Sequence, residues 1–351
     1  MPTSPTVYLD YNATAPIRPE AEAAVMRALR IGGNPSSVHA AGRAARAVME
    51  TARAEVGALA GMPSGSVVFL SCAAEANALA IDSAIAHGAK RLIVSAIEHE
   101  TIQETARASG AAVEAMPVDT RGVADVAWLK DRLARWDTAD GAPFVALMLA
   151  NNETGVIQPV GEAGALVREA GGWMHVDAVQ AAGKIAIDQK ALFADTLSLS
   201  AHKLGGPAGV GALVFGNRAR LVRQLHGGGQ ERSVRAGTEN VSGIAGFGAA
   251  AAVSRMLLDQ AAWRNSSAER LVHESGVTVI GEGALRLSQT LCFAAPGFPS
   301  DLQVMQMDLA GLMVSAGSAC SSGKVKTSKV VEAMGRPDLA PYAQPPETRR
   351  A

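Results

Sequence analysis

Two strand-like segments end in side chains that could share one reaction. The first runs through His175-Val176-Asp177 and leads into Ala178-Val179-Gln180. The second ends in Ser200-Ala201-His202-Lys203. A lysine amine can form a Schiff base with the aldehyde of pyridoxal 5'-phosphate (PLP). A buried carboxylate can keep the pyridine nitrogen protonated, so that the ring acts as an electron sink. Read alone, the tetrapeptide at Lys203 fits a surface lysine after a strand, and Asp177 fits a helix cap. Two apolar strands with matched polar ends favour the cofactor site.

Three further positions could do chemistry. His99 sits on a strand-to-helix connection. Asn152 follows a buried strand in Asn151-Asn152-Glu153-Thr154-Gly155. Cys320 lies in Ser315-Ala316-Gly317-Ser318-Ala319-Cys320-Ser321-Ser322-Gly323, a small-residue run that cannot fill a core. An exposed cysteine in such a loop is a candidate nucleophile. Cys292, between Leu291 and Phe293, reads instead as an inert core residue. Ala73 and Ala74 stand at a helix start, where backbone N–H groups bind phosphate without special side chains.

These groups need a scaffold, and the chain shows one. Strands are expected at Val67 to Leu70, Arg91 to Ser95, Ala112 to Met116, Phe144 to Ala150, Trp173 to Asp177 and Thr196 to Ser200. Gly209 to Phe215 should run against the others. Helices are expected at Glu75 to His87 and Thr101 to Ser109. Short apolar strands separated by helices predict an α/β fold with a mostly parallel seven-stranded sheet, covered on both faces. Ligands of such sheets sit at the carboxyl ends of the strands, where the polar motifs fall.

Further helices are expected over Val241 to Leu258, Ala262 to Glu274 and Asp301 to Ala310, with strands at Val277 to Ile280 and Leu291 to Phe293. The organisation expected is a large domain over 16–255, a smaller α+β domain of 1–15 plus 256–340, and an irregular tail over 341–351.

The chain's 351 residues, 48% of them hydrophobic, suffice for a large core. A net charge of -1 implies no field for generic nucleic-acid binding. Three cysteines without a CxxC pair argue against a disulfide framework or a zinc site and fit a reducing compartment. No signal peptide or membrane span is expected, and the default location is cytoplasmic.

Taken together, the motifs resemble a known family. Tyr8-Leu9-Asp10-Tyr11-Asn12-Ala13-Thr14-Ala15-Pro16, Gly33-Asn34-Pro35-Ser36-Ser37-Val38-His39, Glu98-His99, Arg235-Ala236-Gly237-Thr238 and the Cys320 loop are similar to those of cysteine desulfurases. The group is the NifS/IscS-like one, within the class V aminotransferase family, whose fold is the type I fold of PLP-dependent transferases. The likeness runs from Tyr8 to about Ala343.

The resemblance implies a PLP-dependent enzyme that converts L-cysteine to L-alanine and transfers the sulfur to an enzyme cysteine as a persulfide. The sulfur would then serve iron–sulfur cluster assembly or tRNA thiolation. Lys203 is the implied Schiff-base lysine and proton shuttle, and Asp177 the partner of the ring nitrogen. Gln180 and Asn152 would bond the ring hydroxyl, and His99 would stack on the ring and act catalytically by handling protons. Ser200, His202 and the N–H groups at Ala73 and Ala74 would hold the phosphate. Thr238 would reach the phosphate of a neighbouring subunit in a homodimer; a simple helix cap before Val241 is the alternative. Cys320 would be the persulfide carrier and, against an iron–sulfur scaffold, a transient iron ligand.

The implied partners are L-cysteine and a sulfur acceptor such as a cluster scaffold or tRNA-thiolation protein, with no direct contact to nucleic acid or membrane. Two other functions stay open: a degenerate subunit that binds PLP with little turnover, and a related lyase such as selenocysteine lyase. The chain departs from the family at three places. Cys72 replaces a glycine, read as a silent packing change. Ala74 replaces a threonine whose hydroxyl contacts phosphate. After Ala343 the family's substrate-clamping arginine, with its strand and final helix, is not matched by Gln344 to Ala351. The expectation is a C-terminally truncated member that handles free cysteine poorly.

Overall fold

The architecture, a computed structural model, is described for residues 6–258, 275–317 and 327–344. Its centre is a seven-stranded sheet of β2 (Val67–Leu70), β3 (Arg91–Ser95), β4 (Ala112–Met116), β5 (Phe144–Ala146), β6 (Trp173–Asp177), β7 (Thr196–Ser200) and β8 (Gly211–Phe215). The spatial order is β2-β8-β7-β6-β5-β3-β4. β8 runs antiparallel to both β2 and β7, and the remaining pairs are parallel.

Side-chain alternation along a strand sends neighbouring residues to opposite faces, and both faces here are covered. Val67 and Phe69 join one core with Met49 and Val56 of α2 (Ala40–Leu59) and Phe247 of α7 (Val241–Met256). Val68 and Leu70 join another with Ala76, Leu79 and Ala80 of α3 (Ala73–Ala86). Likewise Ile93 and Val145 face the first side, whereas Leu92, Val94, Phe144 and Ala146 meet Ile81 of α3 and Ile102 of α4 (Glu100–Ala108). Burial on both faces explains why these strands read as continuous apolar runs.

The expected strand over Phe144 to Ala150 is shorter in the fold. Regular pairing stops at Ala146 because the Met148 amide donates to the Glu98 carboxylate, while Leu147 and Leu149 still bond the carbonyls of His175 and Asp177. The helices α1 (Pro19–Leu29), α5 (Val126–Ala134) and α6 (Val160–Glu169) carried no separate expectation. The expected helix over Ala262 to Glu274 lies outside the described residues.

The remaining strands form two small sheets. β1 (Val7–Tyr8) pairs parallel with β11 (Leu312–Met313), which brings the start of the chain beside its last third. β9 (Thr278–Ile280), β10 (Cys292–Ala294) and β12 (Ala343–Gln344) form an antiparallel sheet in the order β12-β10-β9. This corrects the expected irregular stretch from 341. Ala343 is buried with Ala294 and Ile280, and Ala343 and Gln344 pair with β10, so pairing and burial order these residues. α8 (Ser300–Leu309) and α9 (Lys329–Ala333) complete this part.

Candidate active site

β6 and β7 are adjacent and parallel, so Asp177 and Lys203 emerge from the same end of the sheet. They line one cavity together with Ala73, Ala74, His99, Asn152, Gln180, Ser200 and His202. Nine of the expected site residues thus converge from segments up to 130 positions apart. Cys72 lines the same cavity and is exposed. Thr238 is elsewhere, beside Ser71, Gly209 and Arg235. It does not cap α7: Asn240 does, its side chain accepting from the Gly243 amide at 3.0 Å. Cys320 and the residues after Gln344 lie outside the described residues.

One end of the cavity suits an anion. α3 begins at Ala73 with no side-chain cap from Cys72, and Ala73 and Ala74 line the cavity at this helix start. First-turn N–H groups without intrahelical partners carry the positive end of the helix dipole. Ser200 and His202 line the cavity with them. The close fit here depends on Gly211 of β8, where a Cβ would come within 2.6 Å of the Cys72 carbonyl carbon.

The same cavity holds a carboxylate and an amine. Lys203 Nζ donates to the carbonyl oxygens of Asn12 at 2.5 Å and Ala13 at 2.9 Å. The turn at Asn12 is itself anchored, with Asn12 Nδ2 donating to the Asn152 carbonyl at 3.0 Å and Gln180 Nε2 to the Asn12 carbonyl at 2.9 Å. Asp177 is held twice. Its Oδ1 accepts from the Val179 amide at 3.0 Å, in a turn and not at the helix start expected of a lone aspartate, since residues 179–184 form turns. Its Oδ2 accepts from Asn77 Nδ2 at 3.1 Å.

Asn77 is the centre of a network that sequence reasoning missed. It is fully buried in α3, and its Nδ2 also donates to Thr101 Oγ1 at 3.0 Å. Thr101 Oγ1 lies 3.0 Å from His99 Nδ1, and the Thr101 amide donates to the same nitrogen at 3.2 Å. His99 Nδ1 is therefore an acceptor, and the ring proton sits on Nε2. On the far side, His175 Nε2 donates to Asn77 Oδ1 at 3.0 Å, and His175 Nδ1 meets Thr196 Oγ1 at 3.0 Å. Two signals could have found this network. A lone asparagine interrupts the Ala/Leu run of α3, and His175 and Asp177 are two apart on a strand, hence on one face.

The electrostatics follow from burial. Burial drives His175 down to about 3, so it is neutral in this network. Burial, then Lys203 and Lys184, drive His202 down to about 4. Glu98 is pushed well up by burial and then by the Asp177 charge. Asp10, hydrogen-bonded by Ser315 at 2.7 Å, is raised by burial. Cys292 is buried in β10, and burial raises its thiol far above the ordinary range.

The donor set fits PLP: an anion receptor at the start of α3, a carboxylate positioned by an amide, and a lysine amine, all lining one cavity. Among the described residues, no group of three or more His, Cys, Asp or Glu could hold a metal.

Comparisons with known proteins agree with this chemistry. The profile of the family "Aminotransferase class-V" matches residues 7–348. A cysteine desulfurase from Enterobacter agglomerans is 37% identical over 350 residues, covering 96% of this chain and 86% of the relative. The cysteine desulfurase IscS of Dictyoglomus turgidum is 36% identical over 344 residues, covering 94% and 86%. Among solved structures, a NifS-like protein from Rickettsia africae superposes with a TM-score of 0.87 at 29% identity, over 98% of this chain and 94% of that one.

Proposed function

The chain belongs to the class V aminotransferase family and is a PLP-dependent cysteine desulfurase, and from that premise we propose how its own residues divide the work. The observation that carries the assignment is the shared cavity of Lys203 and Asp177 at the ends of adjacent strands, facing an uncapped helix start. Desulfurase activity is favoured over a degenerate subunit or a selenocysteine lyase, because the relatives are desulfurases along most of their length.

Bound PLP supplies an aldehyde that a lysine can hold and a protonated ring that draws electrons from the substrate's α carbon. Lys203 is the holding amine and the group that moves the proton at that carbon. Asp177 keeps the proton on the ring nitrogen, and Asn77 fixes the carboxylate for that task. Ala73 and Ala74 N–H groups, Ser200 and His202 anchor the phosphate. Asn152 and Gln180 orient the ring hydroxyl. His99 lies against the ring, its Nδ1 tied to Thr101. The Cys320 thiolate takes the sulfur of L-cysteine as a persulfide, and the carbon–sulfur bonding pair stays with the substrate, which leaves as L-alanine.

Two copies form a homodimer in this reading. Thr238 lies apart from the cavity of its own chain, which supports a role at the phosphate of a second copy. The persulfide then passes to an acceptor protein for iron–sulfur cluster assembly or tRNA thiolation, where Cys320 briefly ligates iron. No helix of the described residues is long and apolar enough to cross a membrane, and we place the enzyme in the cytoplasm. The large domain spans 16–255 and the small one 1–15 with 256–340.

The test is spectroscopic and chemical. Purified protein should show a visible PLP band that borohydride removes, and Lys203→Ala should lose the covalent attachment. L-cysteine should leave an added sulfur on Cys320, found by mass spectrometry, and light scattering should give a dimer. A protein that stays colourless with added PLP would overturn the assignment.

A further inference from the structure

One stretch of strained backbone lies outside the cavity. Glu231, Arg232 and Ser233 follow one another at φ 42°, 61° and 62°. That region is disfavoured for a residue with a Cβ, and a run of it persists only where the surroundings over-determine it. The surroundings here are ionic. Both oxygens of the buried Glu231 carboxylate accept from Arg53 at 2.7 Å, and Oε2 also accepts from the Phe69 amide at 2.7 Å. Arg53 Nη1 donates to the Val67 carbonyl at 3.1 Å as well, and its guanidinium lies 4.8 Å from the Phe69 ring centroid. β2 is the outermost strand of the large sheet on this side. The ion pair therefore satisfies alternate backbone groups along an open sheet edge and fixes the strained turn to it.

The turn leads to Thr238. The Gly237 amide donates to Gln230 Oε1 at 3.3 Å, which closes the stretch on itself. Arg235 Nε donates to Glu75 Oε1 at 3.0 Å, and Glu75 stands in the first turn of α3. Thr238 follows Gly237, whose φ is 105°, and is exposed. A segment tied to a sheet edge and to a helix start thus presents this hydroxyl outward.

We propose that Arg53 and Glu231 are positioning residues for the cofactor of a second copy: their ion pair holds residues 230–237 in the left-handed turn and so sets Thr238 at that copy's phosphate. This rests on the reading of Thr238 as a phosphate ligand in a homodimer. A slack segment carrying the same threonine would have to be ordered at each binding event, which weakens affinity. Here the ordering is done when the chain folds. A carboxylate is needed for it, because its two oxygens meet three donors, two from Arg53 and one from Phe69. An amide offers one oxygen, and its NH2 group would face a donor.

The test compares PLP with pyridoxal, which lacks the phosphate. Equilibrium dialysis of the cofactor-free chain gives both affinities, at a concentration where light scattering reads a dimer. Thr238→Ala and Glu231→Gln should each raise the PLP dissociation constant about tenfold, since each loses one hydrogen bond to a charged group. The double variant should lose no more than either alone, and pyridoxal affinity should stay at the wild-type value. Gly237→Ala strains a φ of 105°, and its Cβ meets nothing nearer than Arg235 Nη1 at 3.5 Å. It should reproduce the PLP loss without touching the ion pair, and it stands in for Glu231→Gln if that protein does not fold. Additive losses in the double variant, or an equal loss for pyridoxal, would overturn the proposal. So would Glu231→Gln and Gly237→Ala proteins that melt lower yet bind PLP as the wild type does. A monomer, or Thr238→Ala protein with wild-type PLP affinity, would instead bring down the reading of Thr238, and the proposal with it.

Discussion

Asn77→Ala should damage this protein more than its distance from the reacting atoms suggests. The substitution removes the Nδ2 donor to Asp177 and the Oδ1 acceptor of His175. His175 is fully buried, so its Nε2–H would be left unpartnered, a loss of about 1–3 kcal/mol. A hydrogen bond to a charged carboxylate contributes about 1.5–3 kcal/mol. Together the loss should be about 2.5–6 kcal/mol, before any cost of the small cavity. Urea unfolding of the cofactor-free protein reads it as a fall in midpoint at unchanged slope. A double-mutant cycle with His175→Phe isolates the Asn77–His175 term, because the phenyl ring removes the stranded donor. The coupling should exceed about 1 kcal/mol, as expected for contacting residues. Additive effects of the two substitutions would refute the network, as would an Asn77→Ala protein with wild-type midpoint and wild-type PLP affinity.

Other expectations follow from neighbouring groups. His175 is neutral and buried with a folded value of about 3, against about 6.5 unfolded. The unfolded chain therefore binds the extra proton between these values, and stability should fall as pH drops from 6.5 toward 3, by up to about 1.4 kcal/mol per pH unit. A pH series of urea midpoints should be flatter over that range for His175→Phe. Gly211→Ala drives a methyl to within 2.6 Å of the Cys72 backbone, so the α3 start must shift; equilibrium dialysis should show weaker PLP binding with L-cysteine turnover lowered in parallel. Ala74→Thr restores a hydroxyl at the phosphate end, worth about 1 kcal/mol or somewhat more, and should lower the PLP dissociation constant about fivefold. Arg53→Met strands the Glu231 carboxylate, which Arg53 grips at 2.7 Å through both terminal nitrogens in a buried site; thermal melting should show a loss of about 3–5 kcal/mol.

Local chemistry in the sequence determined a good deal. β2, β3, β4, β6 and β7 have the bounds expected of them; β2 and β3 read as apolar runs because both their faces are covered, whereas the edge strand β4 is largely exposed. That Lys203, Asp177, Gln180 and His99 line one cavity was legible because each follows a strand end, where the fold class itself directs ligands. What stayed hidden depends on distance along the chain. Asn77, Thr101 and His175 are ordinary residues in their own segments. Only the packing of α3 across β6, with α4 beside it, turns them into one hydrogen-bonded network. The Asn12 turn receives Lys203 and Gln180 because β1 pairs with β11 and leads the N-terminal segment over the strand ends. A sequence specifies which groups can react. Their protonation, orientation and partners are set by surroundings drawn from remote segments, and those exist once the chain has folded.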